Sequence, residues 1–303
     1  MSCFESVYNP LDKLHTKKKS KTYEHLRNGI FGGNRKIPFG KLVRDEHRII
    51  YTFCQYLSNV EAYSARNLRY DEDALNAFQG IILRFSKPTQ CLRNFWGLLY
   101  LDNCEQGASY FVWSLTWRHK AGSRLRRRQN YPIWTWVGWE GEVEYNLIRV
   151  SSKLWFDDRV RALGFENSKT GNVIELHELR SVSQESCSYT VLHITAVVVP
   201  PGYISYQPTK DAAWPWVIAK HEAKLSSLYN AKYNIQLAES LKDTSTWQCV
   251  YIGGLFKTMF IMILKLNSIT DTWERAGMFY VHTFAHTMDL MFTDLGLGRF
   301  RIE

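Results

Sequence analysis

The sequence holds no Cys-x-x-Cys pair, although six cysteines are spread along it (Cys3, Cys54, Cys91, Cys104, Cys187 and Cys249). Structural zinc sites draw on tightly spaced ligand pairs, so this scatter speaks against one. A disulfide framework belongs to smaller, secreted, cysteine-dense chains. The opening Met1-Ser-Cys-Phe-Glu-Ser-Val-Tyr8 lacks the apolar core of a signal peptide. A reduced, cytoplasmic protein with thiols in or near its core is therefore expected. No Gly-x-Ser-x-Gly elbow occurs, and Gly32-Gly33-Asn34-Arg35-Lys36 lacks the spacing and the closing Lys-Ser/Thr of a phosphate loop. An uninterrupted membrane span is missing too. Residues 247–266 match the roughly 20 residues a helix needs to cross a bilayer, but Lys257 sits in their middle and Gly253-Gly254 breaks them. Two buried strands around a break are predicted there, and no membrane partner.

What the chain has in abundance is aromatic area: 11 Trp, 17 Tyr and 16 Phe make 15% of it. Such side chains suit sheet faces and interaction surfaces, because they bury large areas and carry polar handles. The hydrophobic share of 45% and charged share of 22% are those of a globular chain with a real core. A formal charge of +9 favours acidic partners or polyanions at long range, or is simply a solubilising excess of Lys and Arg.

Residues 1–44 read as a basic, poorly ordered leader containing Lys17-Lys18-Lys19-Ser20-Lys21. From 45 to 65, Ile49, Ile50, Phe53, Tyr56, Leu57 and Val60 recur at three- and four-residue steps, which predicts an amphipathic helix. A second helix follows to Phe85, capped by Asp71 and stopped by Pro88. Beyond it the texture is aromatic and β-branched, predicting strands over 110–117, 134–145, 190–199, 250–255, 259–266 and 278–281. Residues 216–241 have helical composition. The expected fold is α+β: an N-terminal helical segment followed by an antiparallel β-rich body. Its expected divisions are the leader, a helical and Trp-rich region over 45–145, and a β-rich region over 146–303.

The strongest chemical lead is Trp134, Trp136 and Trp139, downstream of Arg124, Arg126, Arg127 and Arg128. Trp134 and Trp136 would share one strand face, with Gly138 allowing a bend before Trp139. With Arg126, Arg127 and Arg128 they form a possible surface for a nucleotide, a nucleic acid or an acidic peptide. The competing reading is core packing, with guanidinium groups laid over ring faces. Glu140, Glu142 and Glu144 alternate and would line one strand face, as a cation site, an acid–base pair or a solvated face. His282, His286 and Asp289 have helical ligand spacing but lack the Glu of His-Glu-x-x-His. Cys187 with His193, or Cys249 with His282, would make a thiolate pair only if folding joined them. No cofactor is expected from these residues.

The run Tyr63-Ser-Ala-Arg-Asn-Leu-Arg-Tyr-Asp-Glu-Asp-Ala-Leu-Asn-Ala-Phe-Gln-Gly-Ile81 resembles a segment of fungal heterokaryon-incompatibility (HET) domain proteins that follows their HET core. Phe95-Trp-Gly-Leu-Leu99 with Ser114-Leu-Thr-Trp117 is a second block of similarity. Arg126-Arg-Arg-Gln-Asn-Tyr-Pro-Ile-Trp-Thr-Trp-Val-Gly-Trp-Glu-Gly141 is a third. Leu192-His-Ile-Thr-Ala196 and Trp273-Glu-Arg-Ala-Gly-Met278 follow in the family's order, so the likeness spans roughly residues 50 to 282. Arg69 replaces the usual Thr, and Ile133, Thr135 and Val137 replace Ser, Ser and Ala. The core's Leu-Ser-Tyr-x-Trp-Gly and Trp-Ile-Asp-x-x-Cys-Ile motifs do not occur. The resemblance thus implies the back portion of such a protein, as a truncated gene model or a free-standing remnant. It would be a non-catalytic module acting through a protein partner in self/non-self or cell-death signalling, because the NAD-cleaving activity plausible for the core cannot be carried over. The rival expectation is a nucleic-acid- or nucleotide-binding module built on the arginines and tryptophans.

Overall fold

The computed structural model describes residues 45–85, 92–102, 107–120, 123, 125–145, 156–180, 188–207, 216–218, 221–227, 234–255, 258–282 and 295–303. The basic leader, Arg124, His286, Asp289 and the cysteines at 3, 91, 104 and 187 lie outside these residues.

The predicted periodic helix forms as α1 (Asp45–Ser64). Its stripe of Ile50, Phe53, Tyr56, Leu57 and Val60 is buried. The second helix differs from expectation. It is two pieces, α2 (Asp73–Asn76) and α3 (Gln79–Phe85), and Glu72 rather than Asp71 stands at the N-cap, without a side-chain cap. A hairpin follows, β1 (Leu92–Phe95) and β2 (Leu98–Leu101), paired antiparallel. The strand expected over 110–117 does not form: residues 110–114 belong to helix α4 (Gly107–Ser114). Its Tyr, Phe, Val and Trp have strand propensity, yet residues 109–114 are all buried, and a helix apolar on every side is a buried helix. Short strands β3 (Arg118–His119), β4 (Arg126–Arg127), β5 (Trp139–Glu140) and β6 (Val143–Glu144) complete the first part.

The rest is one eleven-stranded sheet. Its strands are β7 (Phe156–Asp158), β8 (Val160–Asn167), β9 (Val173–Glu175), β10 (Tyr189–Val198), β11 (Ile204–Tyr206), β12 (Trp216–Ile218), β13 (His221–Ser227), β14 (Trp247–Leu255), β15 (Thr258–Asn267), β16 (Thr272–His282) and β17 (Leu297–Ile302). The main order is β11-β12-β13-β16-β15-β14-β10-β8-β9, with β7 on β14 and β17 on β10 and β16. Every pairing is antiparallel except the single parallel contact of Trp273 with Ile302. The chain is thus α+β, with helices first and the antiparallel body after. Within residues 216–241 the expected helix is only α5 (Asn234–Ser240), because β12 and β13 take the first part into the sheet.

The apolar run 247–266 becomes the hairpin β14–β15, with a register shift at Gly253, whose φ is +154°. Alternation explains why both strands are apolar throughout. Val250, Ile252, Phe260, Met262 and Leu264 face one core, which also holds α1, α3, α4 and the tryptophans of 134–136. Cys249, Tyr251, Met259, Ile261 and Ile263 face a second core with Trp216, Leu237 and Phe279. The first core joins residues on both sides of position 145. Among the described residues no helix is long and apolar enough to cross a membrane.

Candidate functional site

The three blocks that carry the family resemblance meet at one place. The turn between β1 and β2 is Trp96-Gly97, with φ of +50° and +80°, the two-residue hairpin geometry in which both central residues take positive φ. A Cβ on Gly97 would stand 2.6 Å from Val137 Cγ2 and 2.9 Å from Trp136 Nε1. The left-handed Trp96 is held from several sides. Its indole N–H donates to the Tyr189 carbonyl at 2.8 Å, and its own carbonyl accepts from the Thr135 hydroxyl. The Gly97 carbonyl accepts from Trp136 Nε1 at 2.7 Å and from the Tyr56 hydroxyl at 3.0 Å. Edge-to-face contacts then tie Trp136 to Tyr63 and Phe78.

Residues 134–145 are therefore not one strand. Thr135 Oγ1 accepts from the Val137 amide at 3.3 Å and caps a 3-10 turn over Trp136–Gly138, so Trp134 and Trp136 do not lie side by side on a strand face. Both are fully buried, and Trp134 donates to the Thr190 carbonyl at 2.8 Å. Trp139 is half-buried and donates to the Ile133 carbonyl at 2.9 Å.

The arginines are held just as closely. Arg126 grips Asp71 with two bonds of 2.7 Å and Glu140 with one of 2.6 Å. That pairing takes Asp71 away from helix capping and holds its carboxyl below the usual range. Arg127 donates to the carbonyls of Arg128, Gly138 and Tyr131. Arg128, buried, donates to the carbonyls of Val137 and Trp139. The six-residue surface anticipated from sequence is thus corrected. Of Arg126, Arg127, Arg128, Trp134, Trp136 and Trp139, Arg126 is exposed, Arg127 and Trp139 are half-buried, and the other three are buried, so stacking on Trp134 or Trp136 is sterically closed. The residues form a junction, further pinned by the Tyr131 hydroxyl on the Glu72 carbonyl at 2.7 Å.

The three glutamates do not share a face either, because Gly141, with φ of +126°, separates β5 from β6. Each faces its own cation: Glu140 meets Arg126, Glu142 meets Lys120 at 2.7 Å, and Glu144 meets Arg118 at 2.8 Å. Cys249 lies in the second core with its thiol pushed up in pKa by burial, and Cys54 in the first is pushed up to about 12 by the same cause. Thiolate chemistry at Cys249 is thereby disfavoured. His193 has no cysteine partner among the described residues. Its Nε2 lies 2.6 Å from Glu166 Oε2, and Arg301 holds the same carboxylate with bonds of 2.8 and 2.7 Å. Arg301 foremost, with His193 assisting, brings the Glu166 pKa down to about 2. No group of three His, Cys, Asp or Glu side chains among the described residues is arranged to hold a metal ion.

The open feature lies elsewhere, beside β8. A groove of about 710 Å³ runs between the end of β2 with the start of α4 on one side, and the end of β9 on the other. Arg161, Ala162, Leu163 and Gly164 of β8 line it, with His193 and Thr195 of β10 beyond. Sequence reasoning missed it. Its walls come from stretches far apart in the chain, so no local pattern marks it. No protein-family model matches the chain, and no match emerged among curated proteins or solved structures.

Proposed function

We propose that this chain is a non-catalytic interaction module of the heterokaryon-incompatibility type, acting in the cytoplasm through contact with a protein partner. The observation that carries this reading is the convergence of the three resembling blocks on the Trp96-Gly97 turn. Residues 63–81, 95–99 and 126–141 interlock there through Trp136, which meets Tyr63, Phe78 and the Gly97 carbonyl, through Tyr131 and through the Asp71–Arg126 pair. What the resemblance singles out is thus a rigid support, with its polar groups turned inward on carbonyls and carboxylates. The buried free thiols Cys54 and Cys249 agree with a reducing compartment. The nucleic-acid reading loses its cationic surface, since Arg127 and Arg128 are held by carbonyls and Arg126 by two carboxylates.

The test is association with a separately expressed HET core from a related protein, followed by calorimetry. Binding in the micromolar range or tighter is expected. Absence of binding up to about 100 µM, weaker than roughly −5.5 kcal/mol, would count decisively against the module. So would turnover of NAD by this chain alone. A salt titration with single-stranded oligonucleotides addresses the rival reading, because phosphate contacts make affinity fall steeply with salt.

A further inference from the structure

Strand β8 is paired unequally on its two sides. β10 runs beside it along its length, from Asn167 opposite Tyr189 to Val160 opposite Ala196. β9 meets only Gly164, Phe165 and Glu166. After Glu175 the chain turns into a 3-10 segment (Leu176–Arg180) and leaves the ladder. Val160, Arg161, Ala162 and Leu163 therefore have a strand neighbour on one side only, among the described residues. Arg161 and Ala162 are exposed.

The groove lies against this open side. Ala162 and Gly164 line the groove together with their cross-strand partners Thr195 and His193, so it covers one face of β8 and β10, and Arg161 and Leu163, which point to the other face, bring it round to the open edge. The four residues present about 13 Å of edge at roughly 3.3 Å each, and the groove of about 710 Å³ gives an extended segment a way in to it.

Charge selects among strands. Asp102 on the groove wall is held by Arg93 at 3.3 Å, and the exposed Glu175 sits opposite Gly164, three residues along β8 from Arg161. Arg161, on the edge strand itself, has no carboxylate partner among the described residues. The chain as a whole carries +9. A second copy of the chain would bring a like charge to the edge, whereas an acidic segment is attracted to it.

We propose that the free edge of β8 takes up an extended, acidic peptide segment of a partner protein as an added strand, with backbone hydrogen bonds giving affinity and Arg161 favouring Asp or Glu. The proposal rests on the interaction-module reading and names its contact. The experiment selects random dodecapeptides on the full chain and measures the best binder by calorimetry and by amide exchange. Selected sequences alternate β-branched residues with Asp or Glu. Alternate amides within 160–163 gain protection of about tenfold, and a backbone N-methylated twin of the peptide binds about tenfold more weakly. Arg161→Glu weakens binding by a similar factor with an unchanged melting temperature, whereas Ala162→Pro, which removes an edge N–H or its partner's, abolishes it. Failure to select any peptide, protection elsewhere, or equal binding by the N-methylated twin overturns the proposal. If the chain still binds a HET core without protecting 160–163, only this edge assignment falls; if it binds neither, the module reading falls with it.

Discussion

The junction around Trp96-Gly97 and the edge of β8 both carry arginine among apolar residues, and they end in opposite states. At the junction every arginine meets a carboxylate or a carbonyl and the tryptophan N–H groups find acceptors. Along residues 160–163 the backbone has a ladder on one side only, among the described residues. Richness in Trp and Arg marked the first, but hydrogen-bonding capacity left open marks the second. Recognition follows the open capacity, because a group already paired inside the fold gains little by pairing again with a ligand.

The comparison breaks first at Trp136. Truncation to Ala removes a fully buried ring and its bond to the Gly97 carbonyl, so a loss of about 3–5 kcal/mol in a denaturant melt is expected. A loss under about 1 kcal/mol would mean that the three blocks do not depend on one another. Gly97→Ala is expected to cost about 1–3 kcal/mol, since the new Cβ combines positive φ with contact on Val137 and Trp136.

Acid sharpens the contrast next. Burial, reinforced by Arg275 and Arg128, lowers the His119 pKa to about 3 from an ordinary 6.5. Its contribution is complete above pH 6.5 and is withdrawn as pH falls toward 3, since the unfolded chain takes up a proton that the folded chain refuses. Stability should decline by up to about 1.4 kcal/mol per pH unit over that window. Glu166 adds a later loss from 4.5 down to about 2, because Arg301 favours its charged form in the fold. Urea melts of the parent, His119→Leu and Glu166→Gln from pH 7 to 3 would separate the two: His119→Leu flattens the upper window and Glu166→Gln the lower. The smallest expected effect is on the edge, where Arg161→Glu leaves the melt unmoved while weakening acidic peptides.

Much of the architecture was legible in the sequence. Three- and four-residue steps located α1, and the apolar run broken by glycine located β14 and β15. Helix α4 was not, because Tyr110, Phe111, Val112 and Trp113 carry strand propensity and only their enclosure between β2 and β7 makes them helical. The 3-10 turn at Trp136 escaped for a related reason: it is set by the Thr135 side chain and by acceptors far away in sequence. The mutual packing of residues 63–81 and 126–141 was not legible either, because periodicity is silent about which segments meet. Nothing local marks Val160-Arg-Ala-Leu163 as an edge, since edge status depends on where β9 stops.

Arg275 reaches from β16 to the carbonyls of Leu115, at 2.8 Å, and Trp117, with its guanidinium 3.8 Å from the Trp117 ring centre. Burial lowers its pKa to about 10, so this cation of β16 is sheltered by dipoles and a π-face from residues 115–117, far away in sequence. Severing the polypeptide near position 145 would strand that guanidinium in a half-built interior and bare Phe165, Ile194, Phe260 and Tyr280 to water. Neither half would survive alone as a tractable, monomeric piece, and limited proteolysis should yield loss of the whole rather than a stable remainder.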